Sequence, residues 1–418
     1  MQVIIVGGGI AGLSAALSLH QIGIDCRIYE SVPRLAPLGL GINLQPNAVR
    51  ELTALGLGEQ LAQAGVLTAE LVLCNKHGQP VWAEPRGRAA GYRWPQISIS
   101  RAKLHEILLA AIAERLGPEA IATGHRLAGL EQRGGKVVAQ FVGPGGDPVG
   151  QAEGDLLIGA DGIHSAVRRH FYPGEQVVFD GYLHYRGIVE AAPYLTGRSM
   201  VVIGHRFHRA ILYPIAAQAG GGQASINWLA YTKIPAGAPP IEAWDTLAEQ
   251  PAAARAFEGW TYPWLDVHGL FAQTTRVMQL PNVDRNPIPR WSFGRVTLIG
   301  DAAHPMQPIG AQAGSQAVVD GRVLAASLLA TKDPAEALLR YQNERIAAMN
   351  DIIIRNRNFG LESVLQVAEE RAPEGFADIA DVLTQEELES TASNFKQAAG
   401  LDLATVNGRT SIVELPVR

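Results

Sequence analysis

Near the start of the chain stands Gly7-Gly8-Gly9-Ile10-Ala11-Gly12, and eighteen positions past its last glycine stands Glu30. Residue types at this spacing can grip a dinucleotide. Gly7 makes a tight turn, Gly9 lets backbone N–H groups approach a pyrophosphate, and Gly12 lets a helix pack close to a strand. Ala11 lies inside the same turn. The helix N-terminus brings partial positive charge to the phosphates, and Glu30 is placed to accept hydrogen bonds from a ribose diol. Two later segments set acids at strand ends in a similar way. Asp161-Gly162 closes the apolar run that starts at Asp155 and is followed by Ser165 and Arg168. Gly300-Asp301 closes the run from Arg295 and leads through His304 and Pro305 to Pro308-Ile309-Gly310 and a helix carrying Asp320. An acid at the C-terminal end of a parallel strand points into the crevice where ligands bind. Asp301 could accept from a ribityl or ribose hydroxyl, and the Pro308–Gly310 turn would aim the next helix at an anionic acceptor. Asp-Gly and Gly-Asp are also ordinary turn pairs. Three such sites at strand ends, in this order, point to one shared ligand.

The elements that must position these residues are legible around them. Val3–Val6 reads as a buried strand, Ile10–Ile22 as a helix and Cys26–Tyr29 as a second strand, a βαβ start. Pro37–Gly41 is a glycine-punctuated loop, and a helix is expected from Pro46 to Leu55. Strand-like pieces fill Leu71–Trp82 and Leu127–Val142. Between them a helix is expected over Arg101–Leu116, with Ser100 as N-cap and Gly117 as C-cap. From about Tyr182 to Gln279, β-branched and aromatic runs alternate with Pro- and Gly-rich loops, which reads as a mainly antiparallel sheet. Helical character dominates from Pro334 onward. The expected fold class is α/β: a Rossmann-like nucleotide domain over 1–70, 98–180 and 280–345, a sheet domain over 71–97 and 181–279 inserted into it, and a helical region over 346–418.

Composition narrows the function. A chain of 418 residues is long enough for two or three domains. Hydrophobic content of 47% with 18% charged residues describes a globular protein with a substantial core. A net charge of −5 argues against nucleic acid or an anionic membrane as partner. The apolar start lacks the basic region of a signal peptide, and no run is long enough for a membrane helix. The two cysteines, Cys26 and Cys74, suggest neither a disulfide framework nor a metal cluster, so a cytoplasmic setting is expected.

The GGGIAG turn with Glu30, the Asp161-Gly162 segment and the Gly300-Asp301 segment together resemble the three signatures of FAD-dependent aromatic monooxygenases of the para-hydroxybenzoate hydroxylase fold. The resemblance runs from Met1 to Ala348. The stretches Leu38–Ala48, Tyr185-Arg186-Gly187 and Val283–Arg290 look most similar to monooxygenases that modify phenazines, acting on 5-methylphenazine-1-carboxylate, with salicylate hydroxylases next. The resemblance implies FAD as cofactor, NADH or NADPH as a transient reductant, and O₂ activated as a flavin C4a-hydroperoxide that hydroxylates an aromatic or N-heteroaromatic small molecule. It implies that Glu30 binds the adenosine ribose, Arg101 the pyrophosphate or ribityl region, and Asp301 the ribityl chain. Gly41, Asp161 and Gly162 belong to the same cofactor set, and Pro308 and Gly310 face the flavin with the helix that follows. Where the family usually has a glycine this chain has Ala313, with Gly314 beside it.

Substrate candidates come from the expected sheet: Tyr185, Arg186, Leu212, Tyr213, Asn227 and Trp228. Side chains alternate along a strand, so about half of these should face the flavin. Arg186 could pair with a substrate carboxylate. His205 and His208 lack a ligand partner nearby in sequence, and no metal is expected. His164 and His304 read as packing neighbours of the motifs. No nucleophile–base pair is seen, and none is needed when the cofactor carries the chemistry. Other readings are a halogenase or lipid reductase of the same fold, or a flavin-binding protein without activity. A halogenase would carry WxWxIP, and the nearest segment, Trp260–Trp264, does not match it. A monomer and a homodimer are equally compatible with the chain.

Overall fold

The computed structural model describes residues 1–35, 39–217, 222–234, 246–247 and 250–415. Pro37 and Leu38 of the expected glycine loop lie outside the described residues, as do parts of the 181–279 segment.

Two sheets organise the molecule. The first has six strands in the order Ser292–Phe293, Val296–Leu298, Leu156–Gly159, Gln2–Val6, Asp25–Tyr29 and Ile121–Ala122. All neighbours pair in parallel except the outermost Ser292–Phe293. The central strands are apolar on both faces because helices cover both. Val3, Ile5, Leu156, Leu157 and Ile158 are fully buried. Helix Ile10–Gln21 is buried continuously from Ile10 to Leu19. It packs between the sheet and helices Arg101–Leu116 and Ala313–Ala330. Gly12 is required there, since a Cβ would come within 2.0 Å of the Gly7 carbonyl oxygen. Gly7 itself has φ +109°, and a Cβ would lie 2.3 Å from the Ala160 oxygen.

The second sheet has eight strands in the order Thr246–Leu247, Met278–Asp284, Val178–Ala191, Ala224–Lys233, His208–Ala217, Ser199–His205, Glu70–Cys74 and Pro80–Pro85. It is antiparallel except where Ser199–His205 meets Glu70–Cys74. That one parallel pair brings an early hairpin into the later sheet. Gln96–Ser100 joins Gly41–Leu44 and Val66–Thr68 in a separate three-stranded sheet.

The expected helices are present, as Pro46–Ala54 and Arg101–Leu116. Ser100 stands at the N-cap of the latter, but its side chain makes no capping bond. Helix Pro334–Arg357 is continuous, begins with an Asp333 side-chain cap, and leads into the short helices of the C-terminal region.

Each face of the large sheet has its own cover. One face packs Val201, Leu212, Ile226 and Trp228 against Phe257 and Phe271. The other packs Ile211, Tyr213, Leu229 and Tyr231 against Leu361, Val364 and Leu365 of the C-terminal region.

Candidate active site

A cavity of about 300 Å³ opens where the C-terminal ends of the parallel strands meet this second face. One side is formed by Gly9, Ile10, Ala11, Ala160, Gly162 and Asp301, at the ends of the parallel strands. Its sheet side is formed by Arg186, Ile211, Tyr213 and Leu229, and Pro308 and Ala311 to Gly314 stand across from them.

The glycine turn is shaped from behind. Beyond Gly9, by contrast with Gly7 and Gly12, a Cβ would meet nothing within 4 Å, so this is the open side. The Gly8 peptide is held at both ends: its N–H donates to Glu30 Oε2 at 2.7 Å, and its carbonyl lies 2.8 Å from His105 Nε2. The other Glu30 oxygen accepts from Ser31 Oγ and the Val32 N–H, both at 2.9 Å. The carboxylate is thus fixed at the end of its strand, beside the turn.

Asp301 and Arg101 both line the cavity and are exposed to solvent. Burial raises the Asp301 carboxyl above its ordinary value, against the pull of His304 and Arg101. Burial lowers the Arg101 guanidinium, Asp301 offsets part of that, and Arg186 adds to it. Arg101 therefore senses both Asp301 and Arg186 across the cavity. Behind Asp301 lies a buried ionic knot. Asp320 Oδ2 accepts from the Gly300 N–H at 2.9 Å and meets His304 Nε2 at 2.5 Å, while Oδ1 accepts from Arg345 Nε at 2.9 Å. Burial opposes charge on Asp320, yet His304, Arg345 and the Gly300 N–H together hold its carboxyl below the usual range. Asp320 locks the turn that presents Asp301.

Helix Ala313–Ala330 starts at the cavity without a side-chain cap. Gln312, at the cap position, donates instead to the Gly310 carbonyl at 3.1 Å. The helix N-terminus is therefore left to a ligand or solvent. Ala313 is accommodated at this end, whereas a Cβ on Gly314 would come within 2.5 Å of Ile42.

The site has the parts that a dinucleotide needs, and comparison with known proteins names which one. Residues 1–228 and 244–356 match the family described as FAD binding domain. The chain belongs to that family. It is 42% identical over 364 residues to the phenazine 1,6-dicarboxylic acid hydroxylase PhzS of Lysobacter antibioticus, spanning 85% of this chain and 89% of the relative. It is 31% identical over 376 residues to a 3-hydroxybenzoate 6-hydroxylase of Polaromonas naphthalenivorans, spanning 86% and 87%. Among solved structures, Klebsiella pneumoniae HpxO complexed with FAD and uric acid aligns with a TM-score of 0.72 at 26% identity, covering 98% of this chain and 96% of that one. The enzyme is an FAD-dependent monooxygenase of the aromatic hydroxylase type, a class that uses NAD(P)H and O₂. The expected α/β architecture with its second sheet and C-terminal helices is the fold of these flavoproteins.

The structure separates the candidate residues. Gly9, Ala11, Gly41, Arg101, Gly162, Asp301, Pro308 and Gly314 line the cavity. Gly7 and Gly12 shape its floor from behind, and Gly310 lies in the turn beside it. Asp161 stands between the lining residues Ala160 and Gly162, and its carboxylate accepts from Ser165 Oγ at 2.5 Å, Ala166 N at 2.7 Å and Val167 N at 3.2 Å. These bonds hold the turn that presents Gly162.

Of the substrate candidates, Arg186 and Tyr213 line the cavity. Asn227 lies at its edge, with Oδ1 accepting from the Gly41 N–H at 2.6 Å. Tyr185, Leu212 and Trp228 belong to the opposite face of the sheet. The register forces this division. Arg186 pairs with Leu229 and Leu229 with Ile211, while Trp228 pairs with Gly187 and Leu212. Directly opposed residues share a face, so Arg186 and Trp228 cannot both face the cavity.

Several lining residues were missed: Leu40, Ile42, Asn43, Ile211, Leu229, Ala311 and Gln312. Ile211 and Leu229 are the alternation partners of Tyr213 and Asn227 along their strands, so period two could have found them. His105, which holds Gly8, lies four residues after Arg101 on the same helix face. Among the described residues, no group of three or more His, Cys, Asp or Glu comes together to hold a metal. His205 and His208 face each other in a hairpin. His208 packs on Phe257 and Trp260, where burial lowers it to about 4.

Proposed function

We propose that this monooxygenase hydroxylates a planar aromatic or N-heteroaromatic acid, phenazine- or salicylate-like, whose carboxylate is received by Arg186 with Tyr213. The observation that carries this reading is the uneven polarity of the cavity. Its walls include Ile10, Ile42, Ile211 and Leu229, which suit a flat ring and keep water away. Against them stands a group of donors. Arg186 Nη2 donates to the Gly41 carbonyl at 3.1 Å, while its Nε is buried with no partner among the described residues. The side-chain amide nitrogen of Asn227 is likewise buried without a partner among the described residues, and Asn43 and Arg186 both bear on the Tyr213 hydroxyl. Buried donors lacking acceptors are costly, and a ligand with oxygen acceptors would satisfy them. The named substrate of the Lysobacter relative, a phenazine dicarboxylic acid, has that character.

For the cofactor, the N-terminus of helix Ile10–Gln21 would hold the pyrophosphate, Glu30 the adenosine ribose, and Asp301 and Arg101 the ribityl region. Gly310 and the uncapped start of helix Ala313–Ala330 would face the carbonyl edge of the flavin ring and stabilise negative charge there. The bound flavin supplies the electron transfer and oxygen activation. The chain's own residues bind, orient and exclude water. Either NADH or NADPH fits as visiting reductant. A cytoplasmic setting fits the two unpaired thiols, Cys26 and Cys74, each pushed up to about 12 by burial. No helix among the described residues is long and apolar enough to cross a membrane.

The test is NAD(P)H oxidation by the flavin-loaded enzyme with phenazine carboxylic acids, salicylate and their uncharged parent rings, with products identified by mass. Acids should stimulate oxidation and gain one oxygen atom. Equal turnover of the uncharged rings would overturn the role given to Arg186.

A further inference from the structure

The polar groups beyond the cavity form a connected assembly that the reading above does not use. On the cavity face of the large sheet, His184, Tyr231 and Arg209 stand side by side across three strands. The Arg209 guanidinium lies 4.3 Å from the Tyr231 ring centre and 4.6 Å from that of Phe359. Its Nε approaches Glu362 Oε2 at 3.1 Å, and both side chains are nearly inaccessible, at 2% and 6%. Burial raises the Glu362 carboxyl, while Arg209 and the backbone N–H of Gly310 favour its charged form. The short helix Gly360–Glu362 packs directly against the short helix Ile309–Ala311. A second tie reaches the same turn: Asn356 Nδ2 donates to the Gln307 carbonyl at 2.9 Å and to the Ile309 carbonyl at 3.4 Å.

The turn so held is a strained one. Gly310 has φ +64° and Ala311 φ +53°, and on the opposing segment Phe359 has φ +66°. A non-glycine residue in that region persists only where its surroundings over-determine it. Ala311 lines the cavity. Asn356 is the last residue of the family match, and Glu362 lies beyond it.

We propose that Glu362, backed by Arg209 and assisted by Asn356, is a positioning residue for the flavin: the C-terminal region sets the Gln307–Ala311 turn against the ring. Glu362 contacts neither cofactor nor substrate in this role. It acts through the packing of Gly360–Glu362 on Ile309–Ala311, fixing the direction of the neighbouring backbone groups and of the helix start at Ala313. This rests on the reading that the turn faces the flavin, and Gly310→Ala serves to test that reading separately.

The experiment uses the FAD-loaded full chain and reads FAD dissociation, the visible circular dichroism of the bound flavin, and the melting temperature. Glu362→Ala should weaken FAD retention about ten-fold and change the flavin's visible dichroism. Glu362→Gln keeps the size and an oxygen acceptor of the side chain between the two short helices and should stay within about three-fold of the parent. Asn356→Ala should move the dichroism in the same direction as Glu362→Ala, and it decides the matter if Glu362→Ala does not fold. Unchanged dichroism in both alanine variants would overturn the proposal, as would equal FAD loss in Glu362→Gln and Glu362→Ala. If Gly310→Ala also leaves the dichroism untouched, the placement of the turn beside the flavin falls instead.

Discussion

The two faces of the large sheet are built by the same strands and do opposite work. One face is apolar and sealed. Trp228 stacks on Phe271 with ring centres 4.0 Å apart and donates to Thr274 Oγ1 at 2.9 Å, which closes its only polar need. The other face carries Arg209, Arg186, His184, Asn227 and Tyr213, all within one ordered patch between the nucleotide domain and the C-terminal helices. Charges placed there have lost much of their water, which is costly unless they are paired. The sealed face is packed core, and the polar face supplies one wall of the cavity. A residue's contribution should therefore depend on which face it occupies more than on its size or its distance along the chain.

Trp228→Ala gives the largest expected effect and probes the sealed face. It should lower the unfolding free energy by about 3–5 kcal/mol, read by urea unfolding, while the molecules still folded keep KM within about two-fold. A KM shift as large as that of a cavity variant would break the division between faces. Arg186→Met probes the polar face. It should reduce kcat/KM toward an aromatic acid by roughly ten- to hundred-fold, about 1.5–3 kcal/mol, with FAD content and melting temperature near those of the parent.

His184 gives a pH signature of that face. Burial, aided by Arg186 and Arg209, lowers its imidazole to about 3. An unfolded chain titrates near pH 6.5, so between these values the unfolded state binds a proton that the folded state refuses. The contribution of neutral His184 is fully present above about pH 6.5 and is lost as the pH falls toward 3, at up to about 1.4 kcal/mol per pH unit. His184→Gln should flatten the acid limb of stability against pH by one proton, and an unchanged slope would place the titration elsewhere. The smallest effect is expected for Tyr213→Phe, about 0.5–1.5 kcal/mol in kcat/KM. Its value lies in contrast with Tyr185→Phe on the sealed face, which should leave kcat/KM unmoved.

This contrast also explains what was readable in advance. The nucleotide side is written in backbone requirements: Gly7 and Gly12 sit where a Cβ cannot fit, and Asp301 sits at a strand end, so type and spacing suffice. On the sheet side the deciding quantity is register, and a shift of one residue exchanges the faces. Arg186 and Tyr185 are neighbours in sequence and lie on opposite sides, and nothing in a single chain says which side is wet. Asp161 shows the converse limit. Its type and place at a strand end read as a ligand contact, and sequence alone gives no sign of the bonds to Ser165, Ala166 and Val167 by which it also caps its own turn. The tie between Glu362 and Arg209 joins residues 153 positions apart, beyond the reach of any local pattern.

The parallel pairing of Ser199–His205 with Glu70–Cys74 has a consequence for how the chain is made. The early hairpin ending at Pro85 is synthesised well before its partner, since Glu70 and Ser199 are 129 residues apart. At about 5–20 residues per second, the hairpin waits on the order of ten seconds on the ribosome with one edge unpaired. Glu70–Cys74 carries Leu71, Val72 and Leu73, so the waiting edge is apolar and able to pair with another nascent chain. Assembly of the cavity is therefore a late, long-range event. Slowing translation before residue 199 should raise aggregation more than slowing it afterwards.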